Sequence, residues 1–184
     1  MRVIAGSARR IPLKTIDGQR TRPTTDRIKE TLFNMLQYNL ADCYFLDLFG
    51  GSGGIGIEAL SRGAAFCVFA EQNPAAAACI RDNLQATQLK ERAVIMQCDA
   101  LTALTRMEGR YRFDYIFIDP PYHQELEQRV LEYLKHSSLI DKQSTVIIEA
   151  ALETSFDYLE SLGFITEKIK KNKTNQHVFV YRRN

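Results

Sequence analysis

The fold is decided by one stretch, FLDLFGGSGGIGIEAL, at residues 45–60. Its first five residues are apolar except for Asp47 and have the length of a buried β-strand. The next seven contain five glycines, which let the backbone turn sharply and approach a ligand closely. Residues 57–60 then begin a helical pattern, and the first turn of such a helix presents free N–H groups. The order strand, glycine loop, helix indicates a unit of a nucleotide-binding α/β fold.

An acidic residue at the end of the second predicted strand supports this interpretation. Gly51, Gly53 and Gly56 match the dinucleotide pattern G-x-G-x-x-G, and residues 66–71 form a largely apolar run that ends in Glu71. The spacing of roughly 20 residues is the one at which a carboxylate binds ribose hydroxyls. The loop and Glu71 predict a nucleoside-containing cofactor and leave its identity open.

Strands and helices alternate along the chain. Strands are predicted at residues 44–49, 66–71, 93–97, 113–119 and 144–149, and helices at 26–37, 57–62, 74–88, 100–107 and 125–134. This alternation predicts a doubly wound, mostly parallel sheet with ligands at the carboxyl ends of its strands. Residues 164–171 and 177–182 flank a polar turn and predict a C-terminal antiparallel hairpin. We expect one domain over residues 1–184, with a small basic arm or hairpin at residues 1–22.

The sequence Asp119-Pro120-Pro121-Tyr122 ends a predicted strand and suits the binding of a planar amine. The two prolines donate no backbone N–H, so nearby carbonyls stay free to accept, and Asp119 adds an ionised acceptor. Tyr122 offers a flat face on which a base can stack. Acceptors for both hydrogens of an exocyclic NH2 group would direct the nitrogen lone pair towards an electrophile. The alternative is a Pro-Pro turn that only ends the strand.

Other polar residues have weaker predicted roles. Asp47 lies within a strand, where an unpaired carboxylate is costly, and we place it near the charged end of the cofactor, directly or through water. Asp99 follows a predicted strand and precedes a helix, so it lies at the binding edge of the sheet and can serve as a helix N-cap. His123 adjoins the amine motif and is interpreted as a loop residue rather than a base, while His136 and His177 indicate no role. The spacing shows no metal-ligand cluster and no Ser/His/Asp arrangement.

Composition excludes several classes of protein. A chain of 184 residues with 45% hydrophobic content can bury one core, and no apolar run reaches the roughly 18 residues of a membrane span. Residues 1–6 lack the apolar core of a secretory signal. Cys43, Cys67, Cys79 and Cys98 form no C-x-x-C pair, so we interpret them as small hydrophobes in a reducing, cytoplasmic compartment.

The net charge of +2 conceals two basic ends. Residues 1–30 carry eight Lys/Arg against three Asp/Glu, and residues 165–184 carry six against one. The middle carries ten against eighteen, so the two ends have +5 each and the body −8. Such ends are typical of a protein that binds a phosphate backbone, although solvated termini are the alternative. The residues expected to bind RNA are Arg9, Arg10, Arg22, Arg27, Lys171 and Lys173.

Three stretches resemble a known enzyme family. Residues 47–53 resemble the first motif of class I S-adenosylmethionine-dependent methyltransferases, and residues 119–122 resemble their amino-methylating signature. Residues 22–34, RPTTDRIKETLFN, resemble the opening of the RsmD family, the small-subunit ribosomal RNA guanine-N2 methyltransferases. The similarity covers nearly the whole chain. Gly50 departs from the family pattern, in which alanine is more frequent.

The resemblance implies a Rossmann-like fold and methyl transfer from S-adenosylmethionine to the N2 amine of a specific guanine in 16S ribosomal RNA. The implied substrate is RNA that already carries ribosomal proteins, and we expect a monomeric enzyme. The implied catalytic residues are Asp119, Pro120, Pro121 and Tyr122. The implied cofactor-binding residues are Asp47, Phe49, Gly50, Gly51, Ser52, Gly53, Gly56, Glu71, Asp99 and Ala100, with the last two at the adenine.

Three other functions remain open from the residues. Methylation of adenine N6 in DNA or RNA, or of a protein glutamine, would use the same amine pocket. The glycine pattern also fits a nicotinamide-dependent dehydrogenase. A non-catalytic RNA-binding module is the third alternative, but binding alone does not need the carboxylate of Asp119.

Overall fold

In the computed structural model, which describes residues 1–16, 26–36, 40–122 and 124–183, strands and helices alternate as the sequence predicts. The helices are α1 (Asp26–Leu36), α2 (Gly54–Ser61), α3 (Pro74–Ala86), α4 (Ala100–Met107) and α5 (Leu126–Leu134), and a short 3-10 helix spans Lys90–Arg92. The strands are β1 (Tyr44–Asp47), β2 (Phe66–Ala70), β3 (Ala93–Met96), β4 (Tyr115–Ile118), β5 (Thr145–Ala150), β6 (Phe164–Lys171) and β7 (Gln176–Arg182).

Within the described residues these strands form one sheet in the order β3-β2-β1-β4-β5-β7-β6. The first five are parallel, whereas β7 pairs antiparallel with both β5 and β6. The predicted doubly wound sheet and C-terminal hairpin are therefore confirmed. The chain order reverses between β1 and β4, and α/β folds bind ligands in the crevice at such a switch point. The sheet thus brings the glycine loop after β1 beside the Asp-Pro-Pro-Tyr motif after β4.

The central strands are apolar on both faces because helices cover both faces. Phe45, Phe69 and Phe117 belong to a core formed with α1, α2 and α3. Leu46 and Val68 belong to a second core, on the other face, formed with α4 and α5. None of the helices in the described ranges is long and apolar enough to cross a membrane. The strict alternation of faces determines which side of the sheet each polar residue at a strand end occupies.

Helix α2 begins at Gly54, earlier than the predicted start at residue 57, so that boundary was wrong. Glycine is a poor helix former, so helix propensity alone predicts that Gly54 and Gly56 belong to the loop before the helix. Packing explains why a glycine lies inside the helix. A Cβ atom at Gly56 would lie 2.3 Å from Cε1 of Phe69 and 2.7 Å from Sγ of Cys67. Only glycine lets α2 pack this closely against β2.

Residues 1–13 form a small hairpin that packs against α2. Arg2 and Pro12 form an antiparallel bridge, and the backbone N–H of Val3 donates to the carbonyl of Ile11 at 3.0 Å. The hairpin also bonds to the end of α2, where the N–H of Ser7 donates to the carbonyl of Ser61 at 2.8 Å. The basic N-terminal end is thereby fixed to the helix that follows the glycine loop.

The buried carboxylate of Glu58 on α2 joins this hairpin to α1. It accepts the backbone N–H groups of Ile4 (2.9 Å) and Ala5 (3.0 Å). The Nζ of Lys29 on α1 lies 3.2 Å from Oε2, and the Nε of Arg62 lies 2.7 Å from Oε1. The side chains of Lys29 and Glu58 are fully buried, and burial lowers the pKa of Lys29 even though Glu58 opposes the shift. Four donors thus compensate for the desolvation of one carboxylate.

Lys29→Ala is expected to destabilise the protein by about 3 kcal/mol, because it leaves a buried carboxylate without its buried cation. The free energy of unfolding in urea measures the loss. Lys14→Ala is the matched control, since Lys14 pairs with Asp82 at 2.7 Å with side chains 70% and 55% exposed. We expect little change for the control. Equal losses in the two variants would show that the Lys29–Glu58 pair does not hold the hairpin.

Candidate active site

A cavity of about 1010 Å³ lies at the carboxyl ends of the parallel strands. Its volume is at the upper end of the range of small-molecule sites, which is enough for a nucleoside cofactor and part of a second ligand. Twelve of the fourteen predicted catalytic and cofactor residues line it: Asp47, Phe49, Gly50, Gly51, Ser52, Glu71, Asp99, Ala100, Asp119, Pro120, Pro121 and Tyr122. Gly53 and Gly56 are not among the lining residues, because Gly53 turns the chain into α2 and Gly56 packs on β2.

Two carboxylates hold the glycine loop from below. Oδ2 of Asp47 accepts the backbone N–H of Gly56 at 3.0 Å, and Oε2 of Glu71 accepts that of Gly51 at 2.8 Å. Gly51 and Gly53 have φ angles of 53° and 82°, in the left-handed region that favours glycine. The loop therefore has a defined shape that the protein supplies by itself.

Asp47 has a structural contact that the sequence did not predict. Its carboxylate is 2% exposed and bonds to the first turn of α2. Burial raises the pKa of Asp47 to about 7, and the Gly56 N–H opposes the rise, while the charge of Glu71 adds to it. Asp47 also lines the cavity, so its proposed place near the charged end of a cofactor stays a prediction.

Glu71 lies just after β2 and has two backbone partners. Oε2 binds the N–H of Gly51, and Oε1 accepts the N–H of Asn73 at 2.7 Å. Each carboxylate oxygen has two lone pairs, so this geometry leaves one on each oxygen for a further donor. A pair of vicinal ribose hydroxyls supplies two such donors. The carboxylate is fixed in place before any ligand arrives.

Asp99 is the N-cap of α4, the structural alternative that the sequence left open. Its side chain accepts the backbone N–H of Thr102 at 3.0 Å and the hydroxyl of the same residue at 2.6 Å. These hydrogen bonds lower the pKa of Asp99. Asp99 and Ala100 also line the cavity, so the cap does not exclude the predicted contact with a base.

Asp119 follows β4, is partly exposed, and differs from the two buried acids of this cavity, Asp47 and Glu149. No hydrogen-bond donor from the described part of the chain binds its carboxylate, whereas Asp47 and Glu149 each have one or more. Burial raises the pKa of Asp119 well above its usual range, and the charges of Glu149 and Asp47 raise it further. Tyr122 is 41% exposed at the same site. An acceptor and an aromatic side chain thus lie side by side at the cavity.

Sequence reasoning missed three residues at this edge: Glu149, Asn175 and His177. The carboxylate of Glu149 is 3.0 Å from Nε2 of His177 and also accepts the side-chain amide of Asn175. His177 is fully buried, contrary to the interpretation that it indicated nothing. The available signal was Glu149 near the end of an apolar strand, the same signal that identified Asp119.

Most of the predicted RNA-binding residues lie on the surface. Arg9, Arg10, Arg27, Lys171 and Lys173 are exposed, whereas Arg22 and also His123 lie outside the described residues. Both basic ends contribute to the cavity wall, the first through Met1, Thr15 and Ile16 and the second through Thr174 and Asn175. Each basic end therefore reaches the cavity through uncharged residues, whereas Arg9 and Arg10 follow Ser7 and Ala8, which bond to Ser61 at the other end of α2.

Comparisons with known proteins agree with this arrangement. Residues 1–182 match the family model described as "Conserved hypothetical protein 95". "Putative rRNA methyltransferase YlbH" of Bacillus subtilis is 34% identical over 184 residues, which are 100% of this chain and 99% of the relative. "Ribosomal RNA small subunit methyltransferase D" of Haemophilus influenzae is 32% identical over 169 residues, which are 91% and 88%. The solved structure of "Putative methyltransferase yhhF from Escherichia coli" matches with a TM-score of 0.87 at 29% identity, covering 100% and 98%.

Asp47→Asn is expected to change how stability depends on pH. The carboxyl has a folded-state pKa of about 7 against an ordinary value of 3.8, so the folded protein keeps a proton that the unfolded chain releases. The wild type should therefore lose stability relative to the variant as the pH rises through this interval, by at most about 1.4 kcal/mol per pH unit. Urea unfolding at several pH values measures this difference, with exposed Asp157→Asn as the charge control. A difference that stays constant with pH would contradict the assignment.

Proposed function

Because the chain belongs to the RsmD family, whose model is described as "Conserved hypothetical protein 95", we propose that it methylates the exocyclic N2 amine of a guanine in small-subunit (16S) ribosomal RNA, with S-adenosylmethionine as methyl donor. The observation that carries the proposal is the position of Asp119 and its Pro-Pro-Tyr sequence. They lie beside the glycine loop, on the same cavity, at the point where the strand order reverses.

The cavity residues fit the proposed methyl donor. Glu71 has a free lone pair on each oxygen for the ribose hydroxyls, and the loop at residues 49–53 provides backbone contacts for the methionine part. Asp99 and Ala100 lie at the position proposed for the adenine. Asp47 is buried below the loop, and a positively charged sulfur bound beside it would favour its ionised form. S-adenosylmethionine supplies a methyl group that is already strongly electrophilic, so the task of the protein is chiefly positioning.

Asp119 and the carbonyl of Pro120 are proposed to hold the two hydrogens of the target amine. The nitrogen lone pair is delocalised into the base, and two acceptors outside the ring plane would localise it towards the methyl group. Asp119 has no donor from the described residues, so the amine would supply the missing one. Its carboxylate also stabilises the positive charge that develops on the nitrogen.

The guanine must leave its stack before it can reach this cavity, as base-modifying enzymes require. Tyr122 is exposed at the cavity and offers a face for the displaced base. The two basic ends are proposed to bind phosphates of the same RNA, further from the displaced base at the N-terminal hairpin than at the turn after β6. On this proposal the partner is ribosomal RNA in a small-subunit particle or assembly intermediate, and the enzyme acts as a cytoplasmic monomer of one domain.

The experiment that tests the function is transfer of a labelled methyl group into small-subunit particles from cells that lack the enzyme, followed by nucleoside analysis. We expect labelled N2-methylguanosine. Labelled N6-methyladenosine, or label on a ribosomal protein, would show that the methylated amine is not that of guanine. The absence of transfer, with a spectral change on addition of a reduced nicotinamide, would favour the dehydrogenase alternative.

Asp119→Ala is expected to lower the single-turnover rate of methyl transfer by on the order of a hundredfold, because one preorganised acceptor is lost at the reacting nitrogen. Asp119→Asn should be milder, since its carbonyl can still accept from the amine. Calorimetric titration should show nearly unchanged affinity for S-adenosylmethionine in both. Exposed Asp157→Asn is the control. Asp119→Ala with a near wild-type rate would refute the amine-holding role.

Arg9→Glu/Arg10→Glu should weaken RNA binding and leave the affinity for S-adenosylmethionine unchanged. Phosphate contacts release counterions, so the wild-type affinity should fall steeply with salt and that of the variant less steeply. Arg110→Glu/Arg112→Glu is the matched control. These exposed residues precede β4 and belong to neither basic end. If both double variants have the same salt dependence as the wild type, the N-terminal hairpin does not contact RNA.

A further inference from the structure

A third acid lies on the same side of the sheet as Asp47 and Asp119. In β5, Ile148 pairs with Ile118 of β4, so the residues that follow them, Glu149 and Asp119, are neighbours across the two strands. Glu149 pairs in turn with His177 of β7. Because side chains alternate between faces, Asp119, Glu149 and His177 share the face of Phe117, whose ring centroid is 6.3 Å from that of His177.

Glu149 is buried and has two donors from the β6–β7 hairpin. The side-chain amide of Asn175 donates to Oε1, and Nε2 of His177 lies 3.0 Å from Oε2. The side-chain nitrogen of Asn172 lies 3.5 Å from Nδ1 of His177, which favours Nδ1 as acceptor and places the ring proton on Nε2. Both contacts are therefore donations to the carboxylate of Glu149.

The two neighbouring acids thus have different environments. Glu149 is 5% exposed and bound by the protein, whereas Asp119 has no donor within the described chain and faces the cavity. A pair of close carboxylates disfavours double ionisation, and the proton goes to the member with fewer donors. The hydrogen bonds at Glu149 therefore assign the higher proton affinity to Asp119.

We propose that Glu149, held as an anion by Asn175 and His177, is a positioning residue that makes Asp119 the acceptor of the proton released by the methylated amine. This inference rests on the proposed function. In that step the nitrogen lone pair forms the new N–C bond, and the electron pair of the broken C–S bond stays on sulfur. The nitrogen becomes positively charged and then loses one proton, which Asp119 takes up before solvent does.

Other ionisable groups line the same cavity as Asp119 and stay constant in the test. Those that line the same cavity come from β1, β2, the loop after β4, α1, α4 and α5: Asp47, Glu71, Tyr122, Lys29, Asp99 and Arg129. Of these, the Asp47 charge also raises the pKa of Asp119, after burial and Glu149. A variant that alters only Glu149 separates its effect from that of Asp47.

The first test measures the proton affinity of Asp119 without any substrate. Carbon-13 NMR of labelled aspartate follows the Asp119 carboxyl through a pH titration, and Asp119→Asn identifies its signal. Glu149→Gln keeps the size of the side chain and removes its charge, so the Asp119 titration should move to lower pH. Glu160→Gln is the control, because it removes one charge from a side chain that is 81% exposed. An Asp119 titration that is the same in all three proteins overturns the inference.

The second test connects the carboxyl to the reaction. The single-turnover rate of the wild type should fall at acidic pH, as Asp119 becomes protonated, and Glu149→Gln should shift this limb to lower pH by the same amount as the NMR titration. A merely structural role for Glu149 would lower the rate at every pH and leave the limb in place. That result would overturn the proposal. If no RNA is methylated at all, the proposed function fails, and with it the proton-acceptor step, while the NMR result still decides the electrostatic part.

A second variant covers the case in which Glu149→Gln does not fold, which circular dichroism would show. Glu149→Asp keeps the charge but shortens the side chain by one methylene group, which moves the carboxylate away from Asn175 and His177. The Asp119 titration should then move part of the way towards the ordinary range of an aspartate. No movement in this folded variant would overturn the inference.

Discussion

Everything at the ligand-binding edge depends on two carboxylates that hold the glycine loop from beneath. Asp47 at the end of β1 fixes the N–H of Gly56, and Glu71 after β2 fixes that of Gly51. A flexible run of glycines would otherwise lose considerable backbone entropy each time a ligand ordered it. The two hydrogen bonds remove that freedom during folding. A preformed loop with one free lone pair on each oxygen of Glu71 is the result.

The same region is connected mechanically to the basic N-terminal end. The side chain of Asn83 on α3 contacts both parts, since its Nδ2 donates to the carbonyl of Lys14 at 3.1 Å and to that of Ser52 at 2.8 Å. On the other side, Glu58 of α2 holds the hairpin and Lys29. The basic N-terminal hairpin is therefore built into the supports of the glycine loop, and the resemblance at residues 22–34 includes Lys29, which anchors it.

The sequence predicted those features that depend on local pattern. Apolar runs placed all of the strands, and the polar turn at residues 172–176 placed the antiparallel hairpin. The start of α2 was wrong because the reason for Gly56 lies in the ring of Phe69, across the helix–sheet contact. Glu58 could not be identified either, since the four donors that make its burial tolerable come from residues far apart in the chain or on its own helix. Tertiary placement, rather than propensity, decides such residues.

The remaining question is why a protein keeps three acids at one edge of the sheet, where like charges oppose folding. Hydrogen bonds stabilise two of them. Asp47 accepts the N–H of Gly56, and Glu149 accepts from the side chains of Asn175 and His177. For Asp119 no donor in the described chain fulfils that role. A carboxylate beside two other acids interacts favourably with a donor or a positive charge that binds next to it. Asp119 is thus placed to bind an amine that enters the cavity, and the attraction is strongest when that amine becomes positively charged.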